Sequence, residues 1–379
     1  MKDNKSLLSK VSNRLFSTSA AGVYMLLFAA AIGIATFIEN DFGTPAAQKL
    51  VYQTLWFELL LILFGICIIV NVFRFKLIEQ KKWSILVFHL SIVIILIGAG
   101  ITRYFGYEGM MHIRENDMSD SFLSSDMYLN FNAIQGDKKY SFEESVLFAG
   151  VGNNKFDQTY IIGDQKIKVA LNNFVPNPEQ IFQTEEGGFP MIKLVIAGNA
   201  GREEYFLKKG EDITVNNQKY TFGDMMDSLS VNFYYRNDSL LVSAPRNFGF
   251  MVMATQERDS IFSHETYPLR TRALYSDGNN NFVVADFNPS ATLRVESTSK
   301  KLKNESKAAV QLLVSSGDEV KMVDITGQKG MRGQPEYVQI GNTNLAISYG
   351  SKVYKVPFFI KLYDFIMDRY PGTNSAASY

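Results

Sequence analysis

A histidine stands inside an apolar run: Trp83-Ser84-Ile85-Leu86-Val87-Phe88-His89-Leu90 continues without a charged residue to Ile101. An imidazole in hydrocarbon is costly unless it has a partner, and ionisable residues within a membrane span are functional candidates by default. The chain has three histidines, His89, His112 and His264, so this placement is the first to explain. Two chemistries suit it. The ring can be an axial ligand to haem iron, or it can hydrogen-bond a neighbouring helix and tie two spans together. A low-spin haem takes two axial ligands, and the chain has no second intramembrane histidine. A haem-bound His89 therefore needs its opposite ligand from another chain or another copy.

The other chemistry-bearing residues are sparse. The single cysteine, Cys67, lies in an apolar run, which excludes an intrachain disulfide, a CxxC redox pair and the usual Cys/His zinc site. No CxxCH occurs, so the chain is not itself a c-type cytochrome. There is no Gly-rich phosphate loop and no GxSxG nucleophile elbow, and nothing marks a catalytic site. His112 follows Met110 and Met111, where a soft thioether and an imidazole could contact haem or a metal or simply face solvent near the membrane. His264-Glu265 reads as a structural pair in a loop. Lys+Arg and Asp+Glu balance at 38 each, and no basic cluster with interleaved aromatics appears, so nucleic acid is not an expected partner.

Three apolar spans must position these groups: about 20–38, 55–73 and 83–101, within a transmembrane region of residues 1–106. Each is close to the roughly 20 residues an α-helix needs to cross a bilayer. Lys2, Lys5, Lys10 and Arg14 against Asp3 precede the first span, and Arg74, Lys76, Lys81 and Lys82 against Glu79 separate the second from the third. The loop between the first two carries Glu39, Asp41 and a lone Lys49. The positive-inside rule then places the N-terminus and the basic loop in the cytoplasm and everything after Arg103 outside. Trp56 and Trp83 sit at span ends as interfacial anchors, and Glu58, in the second span's first turn, falls at the outer headgroup level. Small residues Ser84, Ser91 and Gly98 repeat every seven positions along the third span, and Ala29 and Gly33 form a small-xxx-small pair in the first. Such positions allow close helix approach. They predict that the third helix packs through its small face and turns His89 the other way.

Residues 107–379 read as an extracytoplasmic β-rich domain. Lys166 to Phe174 and Met191 to Ile196 alternate, and three hairpins are marked by Asn, Asp and Gly at short connections: 212–215 with 218–222, 230–235 with 239–242, and 310–314 with 320–325. No long amphipathic helix interrupts them, so an antiparallel sandwich or open barrel is expected. The polar stretch from Ser297 to Lys307 reads as a solvated loop.

The order of these parts resembles the ResB (CcsB) family of System II cytochrome c biogenesis proteins. The residues that carry it are Ile34-Ala35-Thr36-Phe37-Ile38-Glu39-Asn40-Asp41-Phe42-Gly43-Thr44, Val70-Asn71-Val72-Phe73-Arg74-Phe75, Phe88-His89-Leu90-Ser91 and Leu96-Ile97-Gly98-Ala99-Gly100. Pro357 to Phe365 and Arg369-Tyr370-Pro371-Gly372 look like the family's outer-domain strand and turn. The resemblance implies a haem-handling complex of the bacterial cytoplasmic membrane. In it this chain works with, or is fused to, a CcsA-type part, holds haem b transiently and docks an apocytochrome c for covalent haem attachment. His89 matches the family's intramembrane histidine, which pairs with one from the CcsA part to bind the haem iron.

Two departures from the pattern stand out. The family's further membrane span after the outer domain is missing, so the sequence is read as a piece of a longer protein, cut before that span. The tryptophan-rich motif of the CcsA part is also absent, since Trp56 and Trp83 are the only tryptophans. The implied role is therefore a non-catalytic part of the machine. The competing reading is a membrane-anchored envelope protein whose β-domain binds a protein partner, with His89 purely structural.

Overall fold

The computed structural model describes residues 12–198, 201–223 and 227–378. Lys2, Lys5, Lys10 and Asp3, used above for orientation, lie outside the described residues. Tertiary contacts divide the chain into two compact units: one runs up to Pro178 and resumes at Ser297, the other is Glu179–Glu296.

The first unit opens with three helices long and apolar enough to cross a membrane: α1 (Thr18–Phe42), α2 (Leu55–Arg74) and α3 (Trp83–Phe105). They extend the expected spans chiefly at their C-terminal ends. Ser17 caps α1 by accepting the Ala20 N–H at 3.1 Å, which satisfies one of the donors a helix start leaves unpaired. Gly43 ends α1 with φ +88°, its N–H returning to the Glu39 carbonyl at 2.8 Å.

The helices associate through small and aromatic residues, but not the pair expected from spacing. Ala31 and Ala35 are buried against Ala47, Val51 and Phe57, while Tyr24 is buried with Leu60 and Cys67. Ala29 is exposed, and a side chain added at Gly33 would meet nothing within 4 Å. Both alanines and Ala29–Gly33 satisfy the same i,i+4 rule. The choice falls to Ala31 and Ala35 because they continue the stripe of Tyr24 and Phe28, whose ring stacks on Phe57 of α2 at 6.0 Å.

The β part of this unit is a sandwich. In one sheet the order is Gly109–Met110, Met118–Gln135, Thr343–Lys361, Glu336–Ile340, with Lys138–Val146 also paired to Met118–Gln135. In the other it is Glu319–Gln328, Lys307–Ser316, Gln165–Pro176, Asp157–Ile162. All these pairs are antiparallel. Alternate residues face inward, as the two-residue strand period demands: Leu129, Phe131 and Ala133 with Leu345, Ile347 and Tyr349 meet Ile167, Val169, Val310, Leu312 and Val314. Each large side chain so buried contributes roughly 1.5–3 kcal/mol.

The second unit is another two-sheet packing. One sheet runs Arg258–Ile261, Phe248–Val252, Ala273–Ser276, Asn281–Ser297, Pro178–Gly198, Gly201–Lys208; the other runs Thr266–Pro268, Ser239–Ser243, Val231–Arg236, Gln218–Phe222, Glu211–Val215. Gln218–Phe222 pairs with Val231–Arg236 in parallel, and the other pairs of that sheet are antiparallel. Tyr220, Phe233, Phe248, Tyr275 and Phe282 fill the centre. Among the described residues none of the four larger sheets closes into a barrel.

The three hairpins read from the sequence form as expected. Asn216 and Asn217 take φ 51° and 62°, and Asn237 and Asp238 take 47° and 54°, the two left-handed positions that a two-residue hairpin turn requires.

Candidate functional site

His89 projects from α3 on a half-buried stripe with Leu86, Val93, Leu96 and Gly100. Leu96 Cδ1 lies 3.3 Å from where a side chain on Gly65 of α2 would begin. Arg103 Nη1 donates to the Tyr52 carbonyl at 2.7 Å, and Nη2 lies 3.5 Å from Glu58 Oε2 of α2. Seven residues advance a straight helix to within about 20° of the same face. His89, Leu96 and Arg103 therefore share the side turned toward α2. Ser84, Ser91 and Gly98 are exposed, so the arrangement reverses the expectation that the small residues would pack and His89 would turn away. Helical spacing fixes which residues share a face but not which face meets a neighbour.

The ring is oriented from its own helix. His89 Nδ1 lies 2.8 Å from the carbonyl oxygen of Ile85, one turn earlier. A carbonyl can only accept, so in the neutral ring Nδ1 carries the proton and the lone pair is on Nε2. No described residue hydrogen-bonds Nε2; the rings of Phe88 and His89 stand edge-on, with centroids 5.8 Å apart. The hydrogen bond expected to tie two helices is thus made within α3. This is the arrangement metal-binding histidines use, with one nitrogen donating to a carbonyl and the other free for the metal. Six residues from Trp83 put the ring roughly 9 Å along the helix from its first residue.

The other polar groups noted in the sequence have different surroundings. Glu58 accepts from the Tyr104 hydroxyl and pairs with Arg103, which accounts for a carboxylate at the end of a span. His112 is exposed in the loop after Gly109–Met110. His264 is exposed at φ 63°, its N–H bonded to the Ala244 carbonyl at 2.9 Å. The structure does not bring either histidine into a cluster: among the described residues no three His, Cys, Asp or Glu side chains gather as metal ligands.

Two constellations escaped sequence reading. Lys49, noted only as a charge, donates to the Leu147 carbonyl at 3.2 Å and to Asn154 Oδ1, joining the α1–α2 connection to the sandwich. Its burial lowers its pKa. Asn71 Nδ2 donates to the Cys67 carbonyl at 2.8 Å and to the Phe16 carbonyl at 3.3 Å, which also receives Arg74 Nη1 at 3.2 Å. Asn71 and Arg74, a turn apart at the end of α2, hold the chain entering α1. The asparagine in an apolar span was the available signal.

The fold and site define a membrane-anchored protein with three apolar helices, an intramembrane imidazole and β-sandwich units. Residues 79–165 match the ResB-like family, a stretch that runs from the basic loop through α3 and His89 into the first sandwich. Protein NrfI of Wolinella succinogenes is 47% identical over 111 residues, 29% of this chain. The aligned segment is 12% of that relative's length. The chain thus carries a ResB-like segment over residues 79–165 and is similar to NrfI over part of its length.

Proposed function

We propose that this chain is a component of cytochrome c biogenesis in which His89 offers Nε2 to haem b within the membrane. A CcsA-type protein or fused domain supplies the second axial ligand. The observation that carries the reading is the bond from Nδ1 to Ile85, which leaves Nε2 as an oriented, unpartnered donor in an apolar span. The donor set fits haem as cargo: one imidazole occupies one axial side, and two neutral imidazoles together leave the iron no open position. α3 positions the ring, and the hydrocarbon around an apolar span keeps water from it.

The proposal places the N-terminus and the basic loop of Arg74, Lys76, Lys81 and Lys82 in the cytoplasm of a bacterium and the β-sandwiches outside, following the positive-inside rule. His89 then lies in the inner half of the bilayer, where cargo from the cytoplasm arrives first. The β-sandwiches would dock the apocytochrome or the CcsA part.

The test is the reduced-minus-oxidised absorption spectrum of the detergent-purified protein, wild type and His89→Ala, with and without a co-expressed CcsA-type partner. A b-type haem that appears with the partner and disappears in the variant is the expected result. A haem spectrum unchanged by the substitution removes His89 from the site. No haem in any preparation favours the second reading, a membrane-anchored β-domain that binds a protein partner.

A further inference from the structure

The long strand Thr343–Lys361 does not end as it runs. Its register with Met118–Gln135 shifts once between Met127 and Leu123, and beyond the Ser121–Lys355 pair it advances to Ile360 while its partner advances only to Ser119. The excess chain bulges outward, and bulges re-aim the side chains they carry. Here they carry Pro357, Phe358 and Phe359. Phe358 is 55% and Phe359 68% exposed, although adjacent residues of a strand point to opposite faces. Neither face of this strand end is covered by the described residues.

The exposed aromatics are continuous with the end of a membrane helix. Phe105, the last residue of α3, is 76% exposed, and Tyr107 follows at 69%. The Tyr107 ring packs on Tyr354 with centroids 4.7 Å apart, and Tyr354 lies on the same strand just before the bulge. Large apolar side chains left open in water are unfavourable, and contiguous patches of them mark interaction sites. Aromatic rings are enriched where a protein meets the headgroup layer. Nearby Lys361 lies over the Tyr363 ring at 4.8 Å, the mixture of cation and ring that suits the same layer.

We propose that the bulge bearing Phe358, Phe359 and Ile360, continuous with Phe105 and Tyr107, rests in the headgroup layer and holds the first sandwich against the bilayer. The occupant is lipid. The proposal needs only that α3 crosses the membrane and is independent of haem at His89.

The test uses the full chain in vesicles of phosphatidylethanolamine and phosphatidylglycerol. Cys67 Sγ donates to the Ser17 carbonyl at 3.5 Å, so Cys67→Ser removes the native thiol while keeping a donor there, and a nitroxide is attached through Phe359→Cys or, in a separate chain, Phe358→Cys. Two reference labels go in at Ile94→Cys, in mid-α3, and Tyr337→Cys, exposed on the same sheet. Tyr337 pairs with Ala346 and so lies opposite Asn132, roughly 40 Å along the strand from Ser119. Circular dichroism and elution as for the unlabelled protein qualify each variant. Collisions with oxygen should exceed those with an aqueous nickel chelate at 358 and 359, shifting their ratio toward that at 94 and away from that at 337. A ratio like that at 337 places the bulge in water and overturns the proposal. Shielding from both reagents shows a protein surface there, a second copy included, and also overturns it.

Discussion

The carbonyl oxygen of Leu302 lies 2.0 Å from the point where a side chain on Gly43 would begin. The two residues are far apart in sequence, yet Leu302 also donates its N–H to the Phe42 carbonyl at 3.2 Å and packs against the core of the first sandwich. The stretch read from sequence as a solvated loop is therefore pinned at Leu302 to the end of α1. Gly43 is required twice over, by its φ of +88° and by this approach. Gly43→Ala should destabilise the protein by more than about 1 kcal/mol, since an alanine in a left-handed conformation is strained even without a clash. Thermal unfolding in detergent and faster proteolysis within 298–306 would show it.

The α1–α2 contact makes a paired prediction. Ala35 is fully buried between the helices, so Ala35→Leu should overpack the interface and cost about 1–3 kcal/mol. Ala29→Leu, on the exposed side of the same helix, should change the melting temperature little. Equal effects of the two would mean that α1 is rotated relative to the arrangement described.

His89 makes its hydrogen bond inside its own helix, so no hydrogen bond between α3 and α2 depends on it. His89→Gly should leave expression and thermal stability near wild type apart from the helix cost of glycine, about 1 kcal/mol. It should abolish the haem spectrum expected of the partnered protein, and added imidazole should restore it. A structural role for the ring would instead appear as a loss of folded protein that imidazole does not repair.

In the second unit Asp277 has a side chain only 4% exposed. Burial alone would raise its pKa, but it accepts the N–H groups of Asn279 and Asn280 at 2.9 and 2.6 Å and Asn280 Nδ2 at 3.2 Å, and Arg246 lies 3.5 Å away. Together these hold the carboxyl below its ordinary value. A depressed carboxylate stabilises the fold fully above its unfolded pKa of 3.8 and loses that contribution as pH falls through the lower folded value. Asp277→Asn should cost about 1.5–3 kcal/mol at neutral pH. The gap between variant and wild type should narrow below pH 4, read by thermal melts of the full chain at pH 7 and pH 3.

Much of this protein follows from local sequence. Span length and the absence of charge set three membrane helices, the two-residue alternation and Asn/Asp/Gly turns set the antiparallel hairpins, and the distance from Trp83 sets the depth of His89. These properties depend on neighbours within a turn or two, where backbone geometry leaves few choices. The facing of the helices depends on more. The spans are apolar on every side, so hydrophobic periodicity carries no information about which face meets a partner. Ala31 and Ala35 were chosen over Ala29 and Gly33, and the His89 stripe over the Ser91 stripe, by contacts with α2. The docking of Lys49 on the Leu147 carbonyl and the demand for glycine at 43 likewise arise only when the chain brings distant backbone carbonyls within reach.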